Sequence, residues 1–513
     1  MTAQGTTDYD YIVVGAGASG CVIANRLSAD STKNVLLLEA GGNDDFFTNT
    51  RFLDLPSLFS LWGPLTDWGY SAEPAPGING RAVPITQGKV LGGGSSTNGR
   101  IYLRGNRRDY DGWNQLGNEG WSYKDVLPYF KKAENYSGGA NEYHGVGGPL
   151  SVIDLPAPTA VSQAFMQAAI DYGFKGPVDV NAEQQENAVG FCQSTTTPQL
   201  ARASTAVAYI HPILDRKNLM VTTNALVTKI LFEGKRAVGV EYLLDGQTQQ
   251  VRANAEVIAT AGAFNMPKLL LQSGIGPADQ LKSLGIPVVS DLPGVGQNLQ
   301  DHLLVRMSWH LKEKQSDLII LSEVNLFTYS RPGLEAASPD LQYMFAPFFF
   351  PEYGPVDAGI TLVPVVSQPA SVGSVSLRSN NPLDAPRIDM NHLGCDADVQ
   401  VLMRGIEIGH DIMRSNKLDS ARGAEVVPGP DATTKVELEQ YVRNTAVTVW
   451  HPCGTCRMGH DRLAVVDPQL RVYGIEGLRV ADSSVMPKIV NCNLQATVIM
   501  IGEKAADMIL SGS

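Results

Sequence analysis

The chain has 513 residues, a formal net charge of −12, 18% charged residues and 51 glycines. Soluble proteins average roughly 25% charged residues and about 7% glycine, so this composition excludes a disordered chain and a coiled coil. It also excludes a polyanion-binding surface, which needs clustered Lys and Arg; what remains is a large body that can bury its core without disulfide or metal staples.

Length alone predicts three ordinary domains or two larger ones. Six cysteines without a regular framework favour a reducing compartment. Met1 to Gly5 has no basic start or apolar stretch of a secretory signal, and no apolar run reaches the length of a membrane helix. A cytoplasmic protein without a membrane span or nucleic-acid partner is expected.

In chain order, Tyr11 to Val14 reads as a buried strand. A glycine-rich turn follows (Gly15, Ala16, Gly17, Ala18, Ser19, Gly20), then a helical stretch from Cys21 to Leu27 and a second buried strand, Val35 to Leu38, closed by Glu39. This is the order of a dinucleotide site: Gly15 for the tight turn, Gly17 for close approach of a pyrophosphate, Gly20 for helix–strand packing. The helix N-terminus presents unpaired N–H groups to the phosphates. Glu39 is placed to accept from a ribose hydroxyl and would repel a 2′-phosphate.

Residues 41–80 read as an irregular excursion. Gly88 to Gly99 carries three consecutive glycines (Gly92, Gly93, Gly94) and two serines between ordered flanks, a backbone nest for an anion or a ring edge. Arg100, Arg104, Arg107 and Arg108 form a basic cluster next to Asp109 and Asp111, which reads as a solvated mixed-charge surface. Val221 to Tyr242 alternates like a hairpin around Gly234, Lys235 and Arg236, and Val257 to Ala263 reads as a strand entering a turn and helix. Tyr343 to Pro351 is rich in Phe and Pro and fits either an apolar pocket wall or plain core. Residues 396–445 read as mostly helical.

Near the C-terminus, His451 stands between Trp450 and Pro452 in a glycine-rich turn and is a catalytic candidate, although a single histidine more often has a structural place. Cys453 and Cys456 form a C-x-x-C with no second pair, so they read as small buried residues and no metal site is expected. Leu478 to Asp482 is a strand ending in an acid. Asn491 or Asn493 would cap a long helix from Leu494 to Leu510, whose N-terminus offers positive dipole to a ring that becomes anionic on reduction.

Together these segments resemble the glucose–methanol–choline family of FAD oxidoreductases, essentially end to end. The resemblance rests on Gly15 to Gly20 with Glu39, Ala40 and Gly41, on Gly88 to Gly99, on Gly262 to Pro277, on Pro293 to His302, and on the His451 and Asn493 segments, in family order. It implies an α/β fold: a Rossmann-like FAD-binding domain (8–155, 221–303 and 447–513) interleaved with an α+β substrate domain built on an antiparallel sheet (156–220 and 304–446).

The resemblance also implies site residues. His451 sits beside the flavin, with Asn493 as its partner. Gly94, Asn98, Gly99 and Ile101 wrap the ring and pyrophosphate with Trp450 nearby, Val227 meets the adenine through its backbone, and Asp482 lies near the pyrophosphate or ribityl chain. Thr97 stands where some members carry the histidine that attaches FAD, so non-covalent FAD is implied. The implied reaction is oxidation of a primary alcohol: His451 takes the hydroxyl proton, Asn493 hydrogen-bonds the substrate oxygen, and oxygen or another acceptor restores the flavin. The Trp450-His451 pair, with Phe345 and Phe348 or their neighbours Phe349 and Phe350, suits an aromatic or allylic alcohol. Glu352 and Tyr353 leave a choline-like substrate open, as does the family for a non-redox lyase, a photodecarboxylase or a flavoprotein without turnover.

Overall fold

The computed structural model describes residues 8–45, 62–314, 320–429, 432 and 434–512. Two sheets organise it, each built from distant segments. In the first, β1 (Tyr9–Val14) pairs in parallel with β2 (Val35–Leu38), and Leu219–Thr222 continues the parallel order beyond β2. On the other side of β1 lie Gln247–Ala259 and then Leu478–Val480, again parallel. Strands covered on both faces need no polar alternation, and the sequence Val-Leu-Leu-Leu of β2 is buried throughout. Each such side chain contributes roughly 1.5–3 kcal/mol relative to exposure.

α1 (Ala18–Leu27) crosses from β1 to β2 and packs against the last helix, Gln495–Ser511. The long strand Gln247–Ala259 outruns the parallel part and pairs with the antiparallel hairpin Leu226–Glu233 and Arg236–Leu244, which turns at Gly234 and Lys235 as the sequence predicts. Leu219–Thr222 straddles the expected boundary at 220/221 and lies wholly in this sheet.

The second sheet is antiparallel. Met307–Leu311, Gly359–Val366, Leu341–Ala346, Val324–Thr328 and Ala188–Phe191 run side by side, with Arg422–Val427 at one edge. The helix Asp396–Met413 buries Val399, Leu402, Ile406 and Met413, at helical spacing, together with Leu341, Phe345 and Leu362 in one core. The other face of the sheet turns toward the first sheet, and the fold expected from the family resemblance is the fold observed.

A short seam joins the two halves. Leu303–Leu304 pairs antiparallel with Val447–Thr448 as well as with Val365 and Val366. Just outside this pairing, Gln300 and Cys453 exchange backbone hydrogen bonds of 3.1 and 2.9 Å. Asp301, His302 and His451 are thereby drawn together across about 150 residues of sequence.

Two expectations fail here. Arg100 and Arg104 are not a solvated surface: both side chains are buried. Arg104 pairs with Glu134 at 2.7 Å and lies over the rings of Tyr102 and Phe130, because burial of a charge requires a close opposite charge. Arg107 and Arg108 are the partly exposed members, Arg108 pairing with Glu186 at 2.6 Å. Nor does either asparagine cap the last helix, whose N-cap is Leu494 with no side-chain acceptor. Asn491 instead ties Asn106, Gln185 and Asp109 together, while Asn493 turns to His451. Among the described residues no helix is long and apolar enough to cross a membrane.

Candidate active site

A cleft opens at the C-terminal ends of the parallel strands, the usual ligand position in such sheets, and encloses about 2090 Å³ of empty space, its mouth included. Gly15, Gly17, Ala18 and Ser19 line it at the end of β1, and Glu39 and Ala40 at the end of β2. Gly94, Asn98, Gly99 and Ile101 approach from the second glycine-rich segment, Val227 and Asp482 from two further strand ends, and Trp450, His451 and Asn493 close the far end. Ala16 and Gly20 lie behind this wall. Ala16 donates its N–H to Glu39 Oε2 at 2.8 Å. Gly20 packs on the turn so closely that a Cβ would stand 1.9 Å from the carbonyl oxygen of Gly15.

The dinucleotide end has the features a phosphate needs. α1 begins at Gly17 without a side-chain cap, leaving its first N–H groups directed at the cleft. A Cβ on Gly17 would meet nothing within 4 Å; the room lies on the cleft side. Gly93 covers the turn, its own Cβ position only 2.9 Å from Gly17 Cα. Glu39 accepts from the N–H of Ala16 and of Gly41, both at 2.8 Å. Burial pushes its carboxyl up to about 7 against the opposing pull of those N–H groups. Asp482 accepts from the N–H of Gly262 at 2.7 Å and of Ser484 at 2.8 Å.

At the far end His451 is held on three sides. Its backbone N–H donates to Asp301 Oδ1 at 2.8 Å, its Nδ1 lies 3.0 Å from His302 Nδ1, and its Nε2 lies 3.2 Å from Asn493 Nδ2. Burial, and secondarily the neighbouring His302, hold the His451 pKa well below the ordinary imidazole range. Trp450, just before it, has φ +61°, a costly conformation for a bulky residue. Two hydrogen bonds impose it: Trp450 N–H to Thr448 Oγ1 at 2.7 Å and the His451 N–H to Asp301.

Three buried polar atoms along the cleft, Trp450 Nε1, Asn493 Oδ1 and Gln495 Nε2, have no partner among the described residues. Buried polar atoms are nearly always satisfied, so these atoms, the uncapped helix and the open space at Gly17 fit a long polar ligand with an anionic centre. FAD meets that description.

Between His451 and the second sheet the wall is apolar, formed by Leu304, Leu321, Met344, Phe350 and Val363. Trp62 stands 4.9 Å from the Trp450 ring and donates its Nε1–H to Thr97 O at 3.0 Å. The expected substrate residues need correction. Phe345 is fully buried on the opposite face of the sheet, stacked on Phe165 at 4.2 Å, because adjacent strand residues point to opposite sides; Met344 faces the cleft instead. Phe348 packs beside Phe350 at 5.2 Å and does not line the cleft. Trp62 and Leu321 went unread in the sequence, where nothing local marks them. Cys453 and Cys456 are buried with thiols pushed well above their ordinary pKa by desolvation, and among the described residues no group of three or more His, Cys, Asp or Glu gathers as a metal site.

Known proteins share this architecture. The family described as GMC oxidoreductase matches the chain in two parts, residues 9–304 and 369–502. An oxygen-dependent choline dehydrogenase of Escherichia coli is 42% identical over 530 aligned positions, covering 98% of this chain and 95% of that protein. Among solved structures, pyridoxine 4-oxidase from Mesorbium loti superposes with a TM-score of 0.91 at 30% identity, covering 98% of this chain and 99% of the other. A fungal aryl-alcohol oxidase gives 0.86 at 25% identity, with 98% and 99% covered. With the family match reaching both halves of the fold and relatives aligned over nearly full length, the chain belongs to the GMC oxidoreductases, a family of FAD-binding flavoproteins, and is an FAD-dependent alcohol oxidoreductase.

Proposed function

We propose that this enzyme oxidises an uncharged primary alcohol, aromatic or allylic, to the aldehyde. The observation that carries the reading is the Nε2 of His451 beside the amide of Asn493, 3.2 Å away, at the point where the polar end of the cleft meets its apolar wall. His451 is the general base: it takes the hydroxyl proton at Nε2, and a depressed pKa keeps that nitrogen unprotonated near neutral pH. Asn493 donates to the substrate oxygen as negative charge develops there. Trp62, Trp450, Phe350 and Met344 hold a flat carbon skeleton and exclude water.

FAD, when bound, supplies the acceptor for the hydride leaving the carbinol carbon and is restored by molecular oxygen or another acceptor. The residues proposed to hold it without a covalent bond are Gly15, Gly17, Ala18 and Ser19 at the pyrophosphate, Glu39 at the ribose, and Val227 at the adenine. Gly94, Asn98, Gly99, Ile101 and Trp450 would hold the ring, with Asp482 near the chain between. Thr97 at the position used for attachment elsewhere in the family is an alcohol, a poor group for such a bond.

The charge of the wall favours a neutral substrate over a choline-like one. Among the described residues, the acids lining the cleft are Glu39 and Asp482, and both bind backbone N–H groups. Glu352 lies outside the lining and pairs with Arg306 at 2.8 Å. A quaternary ammonium would therefore leave water for carbon and aromatic faces alone, and the cation–π gain of about 0.5–2 kcal/mol offsets little of that desolvation. The test is anaerobic bleaching of the flavin by benzyl alcohol, cinnamyl alcohol and choline in turn, with peroxide and dye reduction followed in air. Preference for choline would overturn the substrate reading. A flavin that stays yellow with every alcohol would overturn the reaction itself, and so would a His451→Ala variant that turns over like the parent.

A further inference from the structure

His302 enters from the seam between the two sheets and is fully buried. Its ring stands edge-on to that of His451, centroids 5.2 Å apart and planes at 88°. The two Nδ1 atoms are 3.0 Å apart, and His302 Nε2 is 3.1 Å from the carbonyl oxygen of Ser367. A carbonyl oxygen only accepts, and the ring has two backbone carbonyl neighbours, Ser367 and Val490; hydrogen-bond geometry is met at Nε2 by Ser367, so Nε2 of His302 carries hydrogen. Burial holds His302 neutral, its pKa pushed down to about 4, and a neutral imidazole has a single N–H. Its Nδ1 is therefore a lone pair. The contact between the two Nδ1 atoms needs one donor, and only His451 can supply it. A neutral His451 with hydrogen on Nδ1 has a bare Nε2, the nitrogen that faces Asn493 and the cleft. This assignment follows from the heavy-atom network.

We propose that His302 is a positioning residue that fixes the tautomer of His451, so that the unprotonated nitrogen, and not the N–H, meets the substrate hydroxyl. The inference rests on the reading of His451 as the base. The relay runs from Asn493 through His451 and His302 and ends on the uncharged carbonyl of Ser367, so no carboxylate lies in its line. Among the described residues, the titratable group acting on the His451 ring is His302 at Nδ1, while Asp301 holds the His451 backbone N–H. Asp301 is engaged by the backbone of His451 and by the Thr448 hydroxyl, away from the ring nitrogens. The proton taken by His451 is thus held by hydrogen bonding alone and is readily passed on.

The test is the pH dependence of kcat/KM with benzyl alcohol in the holoenzyme, for His302→Leu, His302→Gln and His302→Glu, with flavin per protein as the measure of folding. Leu removes the acceptor and frees the wrong tautomer, so the high-pH plateau should fall about 10–100-fold. Gln restores an acceptor oxygen and should recover most of the plateau. Glu places a carboxylate at Nδ1, favours the imidazolium and should move the acid limb to higher pH. Histidine imidazole NMR on isotope-labelled parent enzyme, assigned with His451→Ala, gives a reading that needs no His302 variant: His451 should show Nδ1 as N–H and Nε2 bare. The proposal is overturned by a Leu variant with the parent plateau, by Gln falling as far as Leu with an unmoved acid limb, or by the opposite tautomer in the parent. If His451→Ala itself stays active, the reading of the base fails; if it is inactive while the His302 series is flat, only the role of His302 fails.

Discussion

Two glycines six positions or fewer from the end of β1 should separate folding from cofactor binding. A Cβ on Gly20 would stand 1.9 Å from Gly15 O and 2.7 Å from Thr260 Oγ1, where real contacts stay beyond 3.0 Å. Gly20→Ala therefore forces the turn and α1 apart by more than an ångström, an overpacking cost of about 3 kcal/mol. That is a fall of roughly 6–12 °C in the melting temperature of the FAD-stripped protein, at about 2–4 °C per kcal/mol. Gly17 differs: its φ of −74° and ψ of −165° suit alanine, and its Cβ would touch nothing. Gly17→Ala should leave the stripped protein unchanged or stabilise it by about 0.4–1 kcal/mol. Its methyl would, however, occupy the approach to the α1 N-terminus. Losing two charge-assisted hydrogen bonds of about 1.5 kcal/mol each weakens FAD binding by about 100-fold. Thermal melting of the stripped proteins and titration with FAD measure both effects. The reasoning is refuted if Gly17→Ala binds FAD like the parent, or if both variants lose the same stability.

The corrected strand parity gives a second test: Phe345→Ala should cost about 3–5 kcal/mol and leave KM for the alcohol unchanged, whereas Met344→Ala should alter KM, so a KM effect confined to Phe345→Ala would reverse the assignment. Arg104→Met leaves Glu134 with His144 alone, 3.0 Å away, as its cationic partner and should destabilise by about 3 kcal/mol, the low end for a broken buried pair, read by denaturant melts; addition of Glu134→Gln should return part of that loss, and no recovery would argue against the pair. Burial raises the carboxyls of Glu39 and Asp301 to about 7 and of Asp109 to about 6. A folded pKa above the unfolded one means that their stabilising contribution is complete below the ordinary carboxylate range and is lost as pH rises through those values. The stripped protein should therefore melt lower as pH rises through about 6 and 7, and Glu39→Gln should flatten that slope by on the order of 1–3 kcal/mol; equal slopes in the two proteins would refute it.

What the sequence revealed divides along a physical line. The turn from Gly15 to Gly20, the strands on either side and Glu39 were legible because each is fixed by chemistry within a few residues: a buried parallel strand, a turn without side chains, a helix start. Phe345 was not, because Leu341–Ala346 is buried on both faces and its alternation carries no polarity. Whether Met344 or Phe345 faces the cleft depends on register with Gly359–Val366, where Met344 opposes Val363. Arg104 misled for a related reason. Its neighbours Asp109 and Asp111 suggest a solvated cluster, while the carboxylate that lets it be buried, Glu134, lies 30 residues on. Asn493 had a local role available as a helix cap and does not take it, since the helix starts at Gln495 and the amide is held by a histidine 42 residues earlier.

The His451 end of the cleft shows the same limit most sharply. His302 and His451 each sit in a recognisable segment, yet nothing local to either says that they touch. Their contact depends on the pairing of Leu303 with Thr448 and Leu304 with Val447, two residues on each side. So short a pairing leaves no periodicity to read, and it survives because the flank toward the two histidines is tied twice: Gln300 to Cys453, and Asp301 to Thr448 and to the His451 backbone. The chemistry of a seam between two sheets is therefore written as separate halves in the sequence, and the relation between the halves, which decides which nitrogen of His451 is bare, is a property of the folded chain alone.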